Sequence, residues 1–179
     1  PPRSSLRVLQ WNVGSLRSKR SELEHFLTSS SPPFDLVLLQ ETGLSSSLSF
    51  SLPSYSCLRS DRTVMRGHDR AGAQHHCGGG VLTLVRRGLS YTRMPTSSLS
   101  NEDPSSDFLW VNVHFSSLTY SFLNLYVPPI RPSSSDSRHP AFRPTLLPTS
   151  PHLFILGDFN AHHPLWDSHI TADPAGNAI

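Results

Sequence analysis

The chain has 179 residues and a mass of 19.8 kDa, enough for one domain and cramped for two. Hydrophobic residues make up 36% and charged residues only 16%, against a charged fraction of about 25% in an average soluble protein, while Ser and Pro are overused; this excludes a coiled coil and a highly charged disordered tail. No apolar run approaches the ~18 residues of a membrane-spanning helix, so a soluble chain with no membrane partner is expected.

The net charge is +2 with a pI near 8.9, mildly basic and compatible with a polyanionic partner. Arg supplies almost all of the positive charge, Lys19 being the only Lys, and Arg favours bidentate phosphate contacts. Cys57 and Cys77 are too few for a disulfide scaffold or a four-cysteine zinc site, which makes a reducing compartment the default. No basic stretch followed by an apolar core marks a signal peptide, and the opening Pro1 reads as part of something longer.

In chain order, Leu6 to Trp11 alternates like a strand and is stopped by Asn12 and Gly14. A helix is predicted from Ser18 to about Leu27, with Leu23, Phe26 and Leu27 on one face, ending before Pro32. Asp35 to Gln40 is nearly continuous apolar sequence, the pattern of a strand buried on both faces, and it delivers Glu41 at its C-terminal end. Strand, helix and strand in that order suggest an α/β layer. After a Ser-rich loop, Tyr55 to Leu58 is a short strand, and Asp61 to Gly79 is a polar, Gly-studded loop. Val81 to Val85, Leu89 to Met94, Phe108 to Phe115 and Tyr120 to Val127 follow as strands, their short turns implying antiparallel pairing. A helix between Arg138 and Leu147 would be broken by Pro144. His152 to Leu156 is another buried strand, and it runs into Gly157, Asp158, Phe159 and Asn160.

Polar residues sit where these apolar strands end: Asn12, Glu41, Asn124 with Tyr126, and Asp158 with Asn160. Each alone fits a turn former or a solvated strand end. Together they could converge on one cleft, because ligands of α/β sheets gather outside the C-terminal ends of strands. They are carboxylates, amides and a phenol. That hard-oxygen set suits Mg²⁺, which takes one or two carboxylates plus water and substrate phosphate and can polarise a phosphoryl oxygen.

The strings LQWNVG (Leu9 to Gly14), LLQET (Leu38 to Thr42), NLYVPP (Asn124 to Pro129) and LGDFNAHHPLW (Leu156 to Trp166) resemble the successive motifs of the endonuclease/exonuclease/phosphatase superfamily. The last is most similar to the apurinic-type endonuclease domain of non-LTR retrotransposons, and CGGGVLTLVRR (Cys77 to Arg87) to that family's Gly-rich lead into a central strand. The resemblance implies a four-layered α/β sandwich, two mixed sheets packed face to face with helices outside. It also implies hydrolysis of one DNA strand with Mg²⁺, or Mn²⁺, leaving a 3′-hydroxyl for a reverse transcriptase domain in the same polyprotein. Glu41 would bind the metal with Asn12 beside it, Tyr126 would contact the scissile phosphate, and Asp158 would orient or activate the water. Asn160 would donate to the phosphoryl oxygen, and a nuclear, monomeric protein is implied with no visible targeting signal.

Asn124, His163 and Arg86 complete the set as substrate contacts, His163 being favoured over His162 to face the cleft. Arg59, Arg62, Arg66, Arg70 and the pair Arg86 and Arg87 are candidates for the DNA backbone, with solubilising surface charge an equal alternative. His75, His76 and Cys77 lack zinc-ligand spacing and read as a solvated loop. The resembled family carries a further aspartate strand and a closing Ser-Asp-His motif, neither present in these 179 residues. The chain is therefore expected to be a single domain, residues 1–179, incomplete at its C-terminus and inactive in that form. A non-catalytic retrotransposon remnant that at most binds DNA, and an abasic-site nuclease or small-phosphoester phosphatase, are the alternatives.

Overall fold

The computed structural model describes residues 5–62, 79–95, 106–129, 149–173 and 176–178. The first sheet has the order β1-β2-β4-β3, from β1 (Val8–Asn12), β2 (Leu36–Gln40), β3 (Tyr55–Ser60) and β4 (Val81–Arg86). The second has the order β5-β6-β7-β8, from β5 (Ser90–Met94), β6 (Asp107–Phe115), β7 (Leu118–Tyr126) and β8 (Leu153–Asp158). Both sheets are mixed: β1 with β2 and β7 with β8 are parallel, and the other pairs are antiparallel.

The period of two along each strand decides what lies between the sheets. Leu36, Leu38, Val81 and Val85 from one sheet meet Leu109, Val111, Val113 and Phe122 from the other in a buried cluster. The alternate residues Val37, Leu39, Leu82 and Leu84 face outward into a second cluster. Helix α1 (Leu16–Ser29) closes that side with Leu16, Leu23 and Leu27, whose seven- and four-residue spacing puts them on one stripe. The outer face of the second sheet carries Phe108, Leu123, Leu125 and Val127, packed with Trp110, Ile155 and Phe159. The architecture is the expected α/β sandwich of two mixed sheets. Because both faces of β2 are covered, all five of its residues are buried, as its unbroken apolar run predicts.

The predicted elements are all present where the residues are described, with shifted ends. The helix begins at Leu16, two residues early, where Ser15 provides no side-chain cap and the Leu16 N–H instead bonds to Thr42 O at 2.9 Å. The last strand extends through Gly157 and Asp158, which pair with Leu125 and Tyr126, two residues past its expected end at Leu156. The antiparallel expectation holds for β5, β6 and β7, and β8 then joins in parallel. The predicted helix near residues 138–147 and the His75, His76 and Cys77 group lie outside the described residues. Among the described residues no helix is long and apolar enough to cross a membrane.

Candidate active site

The C-terminal ends of the parallel pairs β1/β2 and β7/β8 meet at one end of the sandwich. Strand parity turns Asn12, Gln40, Asn124, Tyr126 and Asp158 into the space between the sheets, on the same strand faces as the inward apolar residues Val8, Leu38, Phe122 and Leu156. Glu41 stands one residue past β2 and would point the wrong way on a continued strand. Its backbone instead turns left-handed, at φ 52°. A non-glycine residue rarely adopts that conformation, which costs about 1–2 kcal/mol. The turn brings the Glu41 carboxylate beside Asn12.

The Asn12 carboxamide is the hub. Its Nδ2 donates to Glu41 Oε1 at 3.0 Å and to Asp158 Oδ2 at 2.6 Å, so one amide ties a carboxylate from each sheet. Its Oδ1 accepts from the Gly14 N–H at 3.0 Å, an Asx turn that fixes which end of the amide faces the acids. Asp158 Oδ1 accepts the Asn160 N–H at 2.9 Å, and Asn160, also left-handed at φ 43°, donates its Nδ2 to Val127 O at 2.7 Å. The phenol of Tyr126 donates to Glu41. Burial, then the charge of Glu41 and this hydrogen bond, with Asp158 adding to them and Arg62 opposing, push the Tyr126 pKa far above the ordinary phenol value. Tyr126 is a neutral donor at physiological pH. Among the described residues no Lys, Arg or His forms an ion pair with Glu41 or Asp158. An open cleft of about 460 Å³ adjoins the group, lined by Gln10, Asn12, Asp158, Asn160, His162 and Trp166 among others, with Glu41 and Tyr126 reached through Asn12 and Asp158 rather than lining it.

Behind this layer an amide chain, buried at Asn124 and Gln40 and exposed at Gln10, joins the sheets. Asn124 Nδ2 lies within bonding distance of Leu39 O, Leu82 O and Thr83 Oγ1 at 3.1–3.3 Å, Gln40 Nε2 donates to Asn124 Oδ1 at 2.6 Å, and Gln10 Nε2 donates to Gln40 Oε1 at 2.6 Å. Asn124, expected as a substrate contact, is 0% exposed and stitches β7 to β2 and β4. Arg86, also expected as a substrate contact, is not brought to this group. β4 runs antiparallel to β2, which carries Arg86 to the opposite end, where it pairs with Asp35 at 2.8 Å, some 15–20 Å from Glu41 at ~3.3 Å per strand residue. His163 accepts the Leu165 N–H and packs against Trp166, and it is His162 that lines the cleft.

Sequence reasoning did not single out Asp107 or Trp166, and it grouped Arg62 with the other surface arginines. Arg62 lies over the Tyr126 ring at 5.3 Å and pairs with Asp107 at 2.8 Å, and Asp107 also accepts the Gly80 N–H at 2.8 Å. The register Asp107↔Tyr126 contains the signal, since a carboxylate at the start of β6 must sit beside the end of β7 in a hairpin. Arg59 is occupied by Asp61 and the carbonyls of Ser45 and Leu48; Arg66 and Arg70 lie outside the described residues.

The family model described as Endonuclease/Exonuclease/phosphatase family matches residues 9–178. The chain belongs to the endonuclease/exonuclease/phosphatase family. Family members are metal-dependent nucleases and phosphatases. Among solved structures, the chain is similar to the endonuclease domain of TRAS1, a telomere-specific non-LTR retrotransposon, with a TM-score of 0.58 and 16% identity over 99% of this chain and 70% of that one. It is also similar to a variant of the 3′ phosphatase NExo from Neisseria bound to a product DNA hairpin (TM-score 0.39, 17% identity) and to the AP endonuclease LMAP from Leishmania major (TM-score 0.47, 19% identity). These two alignments cover 66% and 69% of this chain, which spans only 41% and 40% of theirs. No curated protein sequence matches.

The residues present fit the divalent cation such a family implies. Glu41 and Asp158 bring two carboxylates to one amide with no described side-chain cation paired to either, and Asn12 and Asp158 line the open cleft. Among the described residues no group of three or more His, Cys, Asp or Glu forms a closed cage. A two-carboxylate site with open positions is how Mg²⁺ is held alongside substrate phosphate.

Proposed function

We propose that the chain is a DNA strand-nicking endonuclease domain of a non-LTR retrotransposon protein, working with Mg²⁺ or Mn²⁺ in the nucleus beside a reverse transcriptase domain of the same polyprotein. The observation that carries the reading is the Asn12 amide bridging Glu41 and Asp158 from two sheets beside one open cleft that Asn12 and Asp158 line. The likeness to the TRAS1 endonuclease domain along nearly the whole chain supports the same fold for that cleft.

Glu41 would hold the ion, with Asn12 beside it steadying that carboxylate through its Nδ2, and the ion would supply positive charge at the phosphoryl oxygens and at the leaving 3′-oxygen. The protein's own groups do the rest. Asp158, fixed by Asn12 and the Asn160 N–H, takes a proton from water placed in line with the phosphorus. Tyr126, held neutral, swings its O–H from Glu41 to a phosphate oxygen, and Asn160 keeps a second amide hydrogen for the oxygen that gains charge. The P–O3′ bond breaks, the departing oxygen takes a proton from solvent water, and a 3′-hydroxyl and a 5′-phosphate are left. Conversion of supercoiled plasmid to open circles with Mg²⁺ tests this, using the chain and a version extended through the family's aspartate and Ser-Asp-His motifs. Nicking that Glu41→Ala and Asp158→Ala abolish is the expected result; unchanged nicking by both variants refutes it. Faster turnover of abasic duplex or inositol phosphate than of plasmid would assign the same site to repair or to small phosphoesters.

A further inference from the structure

Large aromatic side chains are normally covered, yet Trp166 is 53% exposed and its neighbour Leu165 is 87% exposed. Both lie on the loop that follows β8, and Trp166 lines the same cleft as Asn12 and Asp158. No core cluster of the described residues holds the indole there. The loop does so by its own bonding: the Trp166 and Asp167 N–H groups bond to His163 O at 3.2 Å, the Leu165 N–H bonds to His163 Nδ1 at 3.1 Å, and the His163 ring packs on the indole at 5.1 Å.

The loop is also pinned at its base. His162 Nδ1 lies 2.8 Å from Asp173 Oδ2, the Asp173 N–H bonds to His162 O at 3.0 Å, and the Gly176 N–H bonds to Asp173 Oδ1 at 2.6 Å. Gly176 approaches so closely that a Cβ there would lie 2.0 Å from His162 O. The result is an exposed indole held at the rim of a hydrolytic cleft, where burying it cannot be its purpose.

We infer that the Trp166 indole stacks on a nucleobase adjacent to the scissile phosphate, which makes DNA with a locally unstacked base the preferred substrate. The inference rests on the nuclease reading above and deepens it. Every base offers a π-face, so the contact sets register and substrate shape and is tolerant of sequence. A base inside a regular duplex cannot present that face, so paired and distorted duplexes are expected to differ. Leu165 alongside supplies an apolar edge of the kind that enters an opened base step.

Tryptophan emission and nicking kinetics test it together. Titration of the chain with a short single-stranded DNA in EDTA, where no turnover occurs, is expected to quench the emission, because Trp11 and Trp110 pack against the outer clusters and Trp166 alone lies at the cleft. Trp166→Ala is expected to abolish the quench and weaken binding about tenfold, and Trp166→Phe to abolish the quench while binding within about threefold of wild type, as stacking energies of one aromatic on one base require. With Mg²⁺, Trp166→Ala should raise KM about tenfold at unchanged kcat, with Trp166→Phe restoring it, and should erase any preference for a duplex with an unpaired base. Binding and KM equal to wild type in a folded Trp166→Ala protein overturn the inference. If nicking remains Glu41-dependent in that case, the nuclease reading stands without it; if the wild-type chain binds no DNA, both fall. Should Trp166→Ala melt early, Trp166→Phe decides alone: a surviving quench overturns the stacking.

Discussion

Two asparagines in the same polar layer do different work, and their surroundings tell them apart. Asn12 is half-buried and faces two carboxylates beside the cleft, whereas Asn124 is sealed and bonded in turn to the backbone of both central strands of the first sheet. Asn124→Ala removes the partner of the Gln40 amide and the extra donor to the carbonyls of Leu39 and Leu82, which the β2/β4 ladder still pairs. At about 1–3 kcal/mol for a buried group left unsatisfied, the expected loss is about 1–3 kcal/mol, read as a fall in the urea midpoint. A variant that melts like wild type but binds DNA weakly would instead restore Asn124 to the substrate. The chemistry of these residues is legible in the sequence because each closes an apolar run. Their roles are not, because burial of Asn124 depends on which strands cross above it. The same ignorance of partners misplaces Arg86: only the antiparallel pairing of β4 with β2 carries it away from Glu41.

At the level of strands, the site is positioned by how closely β8 approaches β7. Gly157 lies opposite Leu125, and a Cβ built on it would fall 1.8 Å from Leu125 O, inside the backbone of the neighbouring strand. No side-chain rotation relieves such a clash, so Gly157→Ala must push β8 outward, and Asp158 moves with it. The expected cost is about 3 kcal/mol or more, at the upper end for overpacking, with nicking falling at least as far as in Asp158→Ala. Gly14→Ala is the control: its φ of 62° is left-handed but nothing lies within 4 Å, so only about 1–2 kcal/mol of backbone strain is expected. Differential scanning calorimetry of the two variants separates contact from strain. The strands were readable from alternation, and β2 from its unbroken apolar run. The extension of β8 through Gly157 and Asp158 was not, because a Gly-Asp pair after a strand has the composition of a turn. The crowding against Leu125 that demands glycine arises only once the sheet is assembled.

For the molecule as a whole, the candidate site exists only while the two sheets are docked, since Asn12 and Glu41 come from one and Tyr126, Asp158 and Asn160 from the other. Tyr126 stands in that joint, packed in the inter-sheet core with its O–H on Glu41. An ionised phenol there would face Glu41 and Asp158 in a buried setting, so its folded-state pKa is raised well above the ordinary 10.0. Tyr55, chiefly by burial, is raised in the same sense, and so is the Cys57 thiol from 9.0. The sign follows from proton counting. Above the ordinary values the unfolded chain releases these protons while the folded chain keeps them, so the unfolded state binds fewer protons and stability falls as pH rises. The contribution is fully present below about pH 9 and drains away above it, first through Cys57 and then, past about pH 10, through the two tyrosines. Thermal melts from pH 7 to 11 are therefore expected to show falling stability, with sheet docking and DNA cleavage lost together. Tyr126→Phe should flatten the part of that slope above pH 10 while losing its hydrogen bond to Glu41 at every pH. A Tyr126→Phe protein whose alkaline slope matches wild type would show that the phenol is solvated and that the two sheets do not close over it.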